Sequence, residues 1–492
     1  MMNFGKIIPV FMAAILLAAC QPTGKTADSK TVNKETPNII YILADDLGYG
    51  DLGCYQQKII KTPHIDQLAQ NGMKFTQHYC GSSVCAPSRS SLLTGQDTGH
   101  TPIRGNKEVQ PEGQAPLPAE SVTIAELLKN AGYITGAFGK WGLGYPGSEG
   151  DPNHQGFDEF FGYNCQRMAH RYYPEYIWHN QEKIYLEGNG WKNTVSYAQD
   201  VIQEATLEFI ENNKDTAFFA FIPYILPHAE LISPDDSLLQ QYSGEFSEIA
   251  FEGSKGADYG DSLVIWKYCS QRQPRATFAS MVSRLDVYVG QVVEKLNQLG
   301  LAENTIIMFA SDNGPHQEGG ADPDFFDSNG ELRGYKRDLY EGGIRTPFIV
   351  SWPGKIEAGS VSDHISAFWD VMPTVAELAG VTVNVSTNGI SFLPELLADT
   401  ANQPKHEYLY WEFHERGGRK AVRMGDWKGV QYNLAGKKSP EIQLFNLAKD
   451  IGEQENLASQ YPDIVEKISD IMNGARISSD DFNFSMNTLN GN

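Results

Sequence analysis

Residues 39–46 read Ile39-Ile40-Tyr41-Ile42-Leu43-Ala44-Asp45-Asp46, an unbroken apolar run that stops abruptly at two carboxylates. A strand with one wet face would alternate polar and apolar side chains, so this pattern predicts a strand buried on both faces, as in a parallel sheet. The pattern returns three times. Tyr133-Ile134-Thr135-Gly136-Ala137-Phe138 leads to Lys140, Phe218-Phe219-Ala220-Phe221-Ile222 precedes His228, and Ile306-Ile307-Met308-Phe309-Ala310 leads to Asp312-Asn313. Helical stretches lie between these strands. One has Thr62 as cap, Pro63 in its first turn, Ile65, Leu68 and Ala69 as its buried stripe and Gly72 as its stop. A second opens at a capping box from Thr123 to Glu126 and buries Ile124, Leu127 and Leu128, and a third runs from Leu285 through Tyr288, Val289, Val292, Val293 and Leu296 to Gly300. Alternating strands and helices predict an α/β fold whose parallel sheet is covered on both faces and whose strands end at one ligand-gathering rim. That rim would hold Asp45, Asp46, Lys140, His228, Asp312 and Asn313.

At 492 residues the chain exceeds one ordinary compact core. It reads as a large α/β domain over residues 38–399 and a smaller C-terminal α+β subdomain over residues 400–492. The second begins where the pattern shifts to short runs such as Tyr408-Leu409-Tyr410-Trp411 and Ala421-Val422-Arg423, with a helix near Ile464 to Met472. No internal repeat or coiled-coil heptad is present. Hydrophobic and charged fractions of 41% and 20% exclude a disordered or membrane-embedded chain. A formal charge of −22 excludes nucleic acid and anionic membrane surfaces as main partners, so an anionic ligand needs a local cationic pocket.

The N-terminus carries Lys6, an apolar run from Ile7 to Ala19, and then Leu17-Ala18-Ala19-Cys20 before polar residues. Residues 1–20 read as a signal peptide, too short in its apolar part to span a bilayer stably. The four residues ending at Cys20 resemble a bacterial lipobox, which implies lipidation of Cys20 as the mature N-terminus. Residues 21–37 lack apolar periodicity and read as a flexible tether. The expectation is a bacterial protein exported across the inner membrane and lipid-anchored at the periplasmic face or cell surface, on the outer membrane. Apart from Cys20 and Cys85, the cysteines are Cys54, Cys80, Cys165 and Cys269; their spacing matches no metal knuckle, and both a disulfide and buried free thiols are open.

The segment Cys85-Ala86-Pro87-Ser88-Arg89-Ser90-Ser91-Leu92-Leu93-Thr94-Gly95 closely resembles the type I sulfatase signature, and the wider resemblance, to bacterial carbohydrate sulfatases, spans roughly Asn38 to Asp463. It implies an alkaline-phosphatase-like α/β/α sandwich. It further implies that Cys85 is oxidised to formylglycine by a formylglycine-generating or anaerobic sulfatase-maturating enzyme, and that the protein hydrolyses a sulfate ester. A sulfate ester resists hydrolysis unless a strong nucleophile, charge stabilisation on the sulfuryl oxygens and a proton for the leaving alcohol are supplied. A hydrated aldehyde supplies the nucleophile, since one hydroxyl attacks sulfur and the second expels sulfate. Arg89, four residues on, would face Cys85 and hold the diolate.

Asp45, Asp46, Asp312 and Asn313 offer hard oxygen ligands that suit Ca²⁺ or Mg²⁺ rather than zinc, and the resemblance implies Ca²⁺, with residue 85 as a further ligand. It also brings in Lys140 of Gly139-Lys140-Trp141, Lys336 of Leu332-Arg333-Gly334-Tyr335-Lys336 and His228 of Pro227-His228-Ala229. The lysines would hold sulfate oxygens and the histidine would protonate the leaving oxygen. The chain departs from the family at Gly142, where a histidine usually helps release sulfate; His100 is a candidate for that step or for substrate contact. Asn164-Cys165-Gln166-Arg167, Tyr172, Tyr173 and His414-Glu415-Arg416 read as a sugar-binding rim, with His170, Arg104 and His414 as substrate contacts. The insertion-like stretch 235–273, with Gly253-Ser254-Lys255-Gly256 inside it, would shape the substrate side. An exported, tethered enzyme of this kind points to a sulfated oligo- or polysaccharide such as a galactan, a glycosaminoglycan or ulvan. The rival readings are a phosphoesterase of the same superfamily, which would carry Thr or Ser at position 85, and a surface lipoprotein that binds sulfated glycan without cleaving it.

Overall fold

The computed structural model describes residues 36–189, 193–253, 268–435 and 440–484. The expected signal peptide, Cys20 with its expected lipidation, nearly all of the expected tether and Ser254-Lys255-Gly256 of the insertion lie outside the described residues. Within them no helix is long and apolar enough to cross a membrane.

Ten strands of the described residues form one sheet: β1 (Asn38–Ala44), β2 (Met73–Phe75), β3 (Ile134–Lys140), β4 (Glu159–Tyr163), β5 (Tyr176–His179), β6 (Glu182–Tyr185), β7 (Phe218–Pro223), β8 (Thr305–Ser311), β9 (Phe348–Ser351) and β10 (Ser360–Ser362), in the spatial order β10-β2-β9-β8-β1-β7-β3-β4-β5-β6. The central five, β8-β1-β7-β3-β4, are parallel, as the apolar runs predict. The flanks correct the all-parallel expectation: β9 pairs antiparallel with β8 and β2, and β5 and β6 extend the other edge antiparallel. Strands at the flanks are short and two are three residues long, so they carry too little pattern to be read from sequence.

Along β1 the side chains of Ile39, Tyr41 and Leu43 enter one core while Ile40, Ile42 and Ala44 enter the other. This two-sided burial follows from the period-2 geometry of a strand and explains why no polar residue interrupts the run. The first core is covered by α2 (Cys85–Thr94) and α3 (Ile124–Asn130). The second is covered by α1 (Pro63–Gln70), α4 (Ala198–Asn212) and α5 (Pro274–Gln298). The result is an α/β/α sandwich. The Thr123–Glu126 capping box forms as read, whereas Leu127 and Val293 are only half-buried. Thr62 holds the cap position of α1, but its hydroxyl binds Gly53 N and Asp66 instead of a helix amide.

Four antiparallel strands, β11 (Leu409–Phe413), β12 (Arg419–Met424), β13 (Trp427–Tyr432) and β14 (Gln443–Asn446), form a smaller C-terminal sheet. One face packs under α6 (Pro462–Gly474), and the other adds Leu409, Trp411, Phe413 and Val430 to the first large core. A buried ion cluster joins the two sheets. Lys428 of β13 donates to Glu341 at 2.8 Å and pairs with Glu453 at 3.1 Å, and Glu341 also accepts from Tyr79 at 2.7 Å. Cys54, Cys80, Cys85 and Cys165 are free thiols.

Candidate active site

The register of the central strands assembles the site. Ala44 of β1 lies opposite Ser311 of β8, so the residues that follow, Asp45-Asp46 and Asp312-Asn313, emerge side by side, and β3 ends on Lys140. Into this rim points the N-terminus of α2. Cys85 is its first residue and Arg89 lies one turn along the same face, so the helix begins at the cysteine rather than after it.

Every one of these groups is shielded from solvent. Arg89 is wholly buried: Nη2 donates to Asp312 at 2.8 Å and to Asp45 at 3.1 Å, Nε donates to Asp312 at 3.1 Å, and Nη1 donates to the Lys140 carbonyl. Lys140 Nζ donates to Asp45 Oδ2 at 2.6 Å and to Cys85 Sγ at 3.3 Å. Burial works against the Lys140 charge, but Asp45 outweighs it and the pKa rises above that of an ordinary lysine. Burial, followed by the nearby Asp45, pushes the Cys85 thiol up to about 12. An unmodified Cys85 is therefore a neutral thiol at pH 7 and a poor nucleophile.

The donor set fits a hard divalent cation. Asp45, Asp46, Cys85 and His228 place one ligand atom each within 4.8 Å of one another. Asn313 donates through Nδ2 to Asp46 Oδ1 at 2.6 Å, which leaves its Oδ1 buried with no hydrogen-bond partner. Asp312 Oδ1 accepts from Asp46 N at 3.1 Å, and burial together with Asp45 raises the Asp312 carboxyl to about 6. Crowded carboxylates beside an orphaned amide oxygen are what a Ca²⁺ or Mg²⁺ ion would satisfy. Asp46 itself is held at φ 64, an uncommon backbone conformation for a residue with a side chain.

Across the site Lys336 Nζ donates to Asp46 at 2.8 Å and to His228 Nε2 at 3.0 Å, and it reaches Glu318 at 3.2 Å. Burial opposes its charge, yet Asp46 and Glu318 hold its pKa well above the ordinary lysine value. His228 does not match the expectation of a proton donor to the leaving oxygen. Burial, then Lys336 and Lys140, depress it well below the usual imidazole range. Its Nδ1 donates to the Ala229 carbonyl, so Nε2 is left as an acceptor and Lys336 is the protonated member of the pair.

The structure sorts the remaining candidates. His170 stacks on His228 with ring centroids 5.0 Å apart and borders the site; burial and Lys140 take its pKa down to about 3. His100 lies elsewhere. It donates to Asp97 at 2.7 Å and borders a separate cavity with Thr94 and Gln96 at the C-terminal end of α2. Arg104 and His414 are also committed elsewhere. Both bind Glu412, at 3.0 and 2.9 Å, with Arg476 at 2.7 Å, because that carboxylate is fully buried and requires donors. Sequence reasoning missed His316 and Glu318. His316 stacks 5.9 Å from His228, and Glu318 holds both Lys336 and Arg337. Their place in the loop after Asp312-Asn313, on a rim already marked, was the available signal.

The comparisons with known proteins agree with this geometry. A profile of the family described as Sulfatase matches residues 37–381, and one described as N-sulphoglucosamine sulphohydrolase, C-terminal, matches residues 330–477. Arylsulfatase A of Homo sapiens is 31% identical over an alignment covering 88% of this chain and 87% of its own. N-acetylgalactosamine-6-O-sulfatase of Bacteroides thetaiotaomicron is 28% identical, covering 97% of this chain and 100% of its own. Among solved structures, Ps i-CgsB superposes with a TM-score of 0.74 at 27% identity, covering 89% of this chain and 92% of that one; its complex with k-i-k-neocarrahexaose gives 0.73.

Proposed function

The chain belongs to the sulfatase family and is a sulfuric ester hydrolase; from that premise we propose that it removes sulfate from a sulfated carbohydrate, with residue 85 as the nucleophile after conversion of Cys85 to formylglycine. The observation that carries this reading is the setting of Cys85. It opens a helix with Lys140 at 3.3 Å from its sulfur and a thiol pKa too high for cysteine chemistry, beside a carboxylate cluster suited to a hard cation. The carbohydrate class is supported by the carrageenan oligosaccharide bound to Ps i-CgsB and by the similarity to N-acetylgalactosamine-6-O-sulfatase. Galactans, glycosaminoglycans and ulvan all belong to the class.

A hydrated aldehyde at position 85 would supply one hydroxyl to attack sulfur and another to expel sulfate, and Ca²⁺ or Mg²⁺ held by Asp45, Asp46, Asp312 and Asn313 Oδ1 would withdraw charge from the sulfuryl oxygens. The chain's own residues do the rest. Lys140 holds positive charge next to the γ position of residue 85 and neutralises negative charge developing there. Arg89 fixes Asp45 and Asp312 and keeps their charges apart. Lys336 keeps a proton on Nζ at the opposite wall, against the acceptor nitrogen of His228, and is the source of a proton for the departing alcohol oxygen. His170, stacked on His228, faces the sugar. The reading also includes conversion by a formylglycine-generating or anaerobic sulfatase-maturating enzyme, export from a bacterial cytoplasm and a lipid anchor at Cys20.

The test is sulfate release from carrageenan oligosaccharides, chondroitin and heparin disaccharides and ulvan, using protein coexpressed with a formylglycine-generating enzyme. Release from at least one of these is expected, lost in EDTA and restored by Ca²⁺ more fully than by Mg²⁺. Activity that is indifferent to EDTA would remove the metal from the account. No release by protein whose residue 85 is an aldehyde would remove the carbohydrate class.

A further inference from the structure

The helix that presents residue 85 has no cap of its own. Its N-cap position is Val84, whose side chain accepts nothing. Ser88 N reaches Val84 O at 3.3 Å and Pro87 has no N–H, so Cys85 and Ala86 are the first-turn amides without a helical acceptor. The acceptor for Ala86 N is Asn106 Oδ1, at 3.2 Å, from a loop beyond the helix. The same oxygen accepts from Gln166 Nε2, also at 3.2 Å. With two donors on one oxygen, turning the Asn106 amide over would set its NH₂ against both.

Gln166 is itself held. It is buried, its main-chain N–H donates to Gln114 Oε1 at 3.4 Å, and its side chain lies against Gly142. A Cβ at position 142 would come within 3.3 Å of Gln166 Cγ and Nε2, and the backbone there has φ +77, which favours glycine. Gly142 follows Lys140 by two residues, and Lys140 closes the circuit at Cys85 Sγ. A path of contacts from the end of β3 through Gly142, Gln166 and Asn106 therefore links Lys140 to the first turn of α2, beside the direct bond from Arg89 to the Lys140 carbonyl.

We propose that Asn106 is a positioning residue for the nucleophile, supplying in trans the helix cap that Val84 cannot, with Gln166 orienting its amide. The inference rests on residue 85 being the reacting residue. Asn106→Ala is expected to lower kcat by on the order of 10- to 100-fold with KM changed by no more than about threefold, because displacing a reacting group costs rate rather than binding. The aldehyde content at position 85 should match wild type, and the peptide containing Ala86 should exchange its amide hydrogens faster. Asn106→Asp keeps an acceptor at the helix N-terminus but adds a negative charge near an anionic substrate. It is expected to hold kcat within about threefold while KM rises. If Asn106→Ala does not fold, Gln166→Met serves in its place, with a smaller kcat loss in the same direction.

The assay uses the sulfated sugar released fastest in the panel above. The proposal is overturned by a kcat for Asn106→Ala, or for the substitute Gln166→Met, within about twofold of wild type, by a loss confined to KM, or by Asn106→Asp as slow as Asn106→Ala. Should aldehyde-bearing wild type release no sulfate from any sugar, the functional reading fails first. The amide exchange at Ala86 then decides alone whether Asn106 holds the helix.

Discussion

Cys85→Ala is expected to lower kcat/KM for sulfate release by on the order of 10⁵-fold, the scale seen when a covalent nucleophile is deleted from an otherwise intact site. The side chain is small and 1% exposed, and its partners Lys140 and Asp45 keep each other at 2.6 Å without it. The variant should therefore fold, with its unfolding free energy within about 2 kcal/mol of wild type. Cys85→Ser separates two mechanisms. A serine has the size and reach of the cysteine but carries one hydroxyl where the hydrated aldehyde carries two, so it can accept a sulfuryl group and cannot expel it by collapse to an aldehyde. A single stoichiometric turnover followed by arrest is the expected outcome, measured as a burst of desulfated sugar equal to the enzyme concentration, with the sulfate retained on the serine and none released. Sustained turnover by Cys85→Ser would show that the hydrated aldehyde is not required.

Arg89→Ala should lose both activity and stability. The guanidinium has no exposure, and its donors serve Asp45, Asp312 and the Lys140 carbonyl. Removing it leaves two buried carboxylates crowded together, which costs about 3–5 kcal/mol for a broken buried pair. The sign of the pH dependence follows from Asp312. Its folded-state pKa is already raised, to about 6, and losing a cation raises it further. A carboxyl that binds its proton more tightly in the folded state stabilises below its unfolded pKa and loses that contribution as pH rises through the folded value. The deficit of Arg89→Ala relative to wild type should thus be larger at pH 8 than at pH 5. Urea unfolding at the two pH values, in EDTA, measures it. A deficit independent of pH would mean that Asp312 does not feel Arg89 as a charge.

Much of this site was legible because the signals were local. Four apolar runs ended in polar residues, and a strand buried on both faces must release its first polar side chain at the rim, so Asp45, Asp46, Lys140 and Asp312-Asn313 fell together. What the sequence did not carry was the destination of long polar side chains. Arg104 and His414 look like ligands until Glu412 is seen to be buried between them, and Glu412 reads in sequence as one more charge on a short strand. His100 follows the helix that carries the cysteine in sequence, but it is held by Asp97 and sits with Thr94 and Gln96 at the opposite end of that helix from Cys85. Asn106 gave no signal at all, since it acts on a helix end twenty residues earlier and only through a main-chain amide. Flanking strands as short as Met73–Phe75 were invisible for lack of periodicity, which is why the sheet read as wholly parallel.

The most direct test of the account is the peptide mass of the segment containing residue 85, taken from protein coexpressed with a formylglycine-generating enzyme, with sulfate release measured on the same preparation. The account expects the mass of an aldehyde at residue 85 and activity proportional to its fraction across preparations converted to different degrees. Full activity from protein whose residue 85 is entirely an unmodified thiol would contradict it.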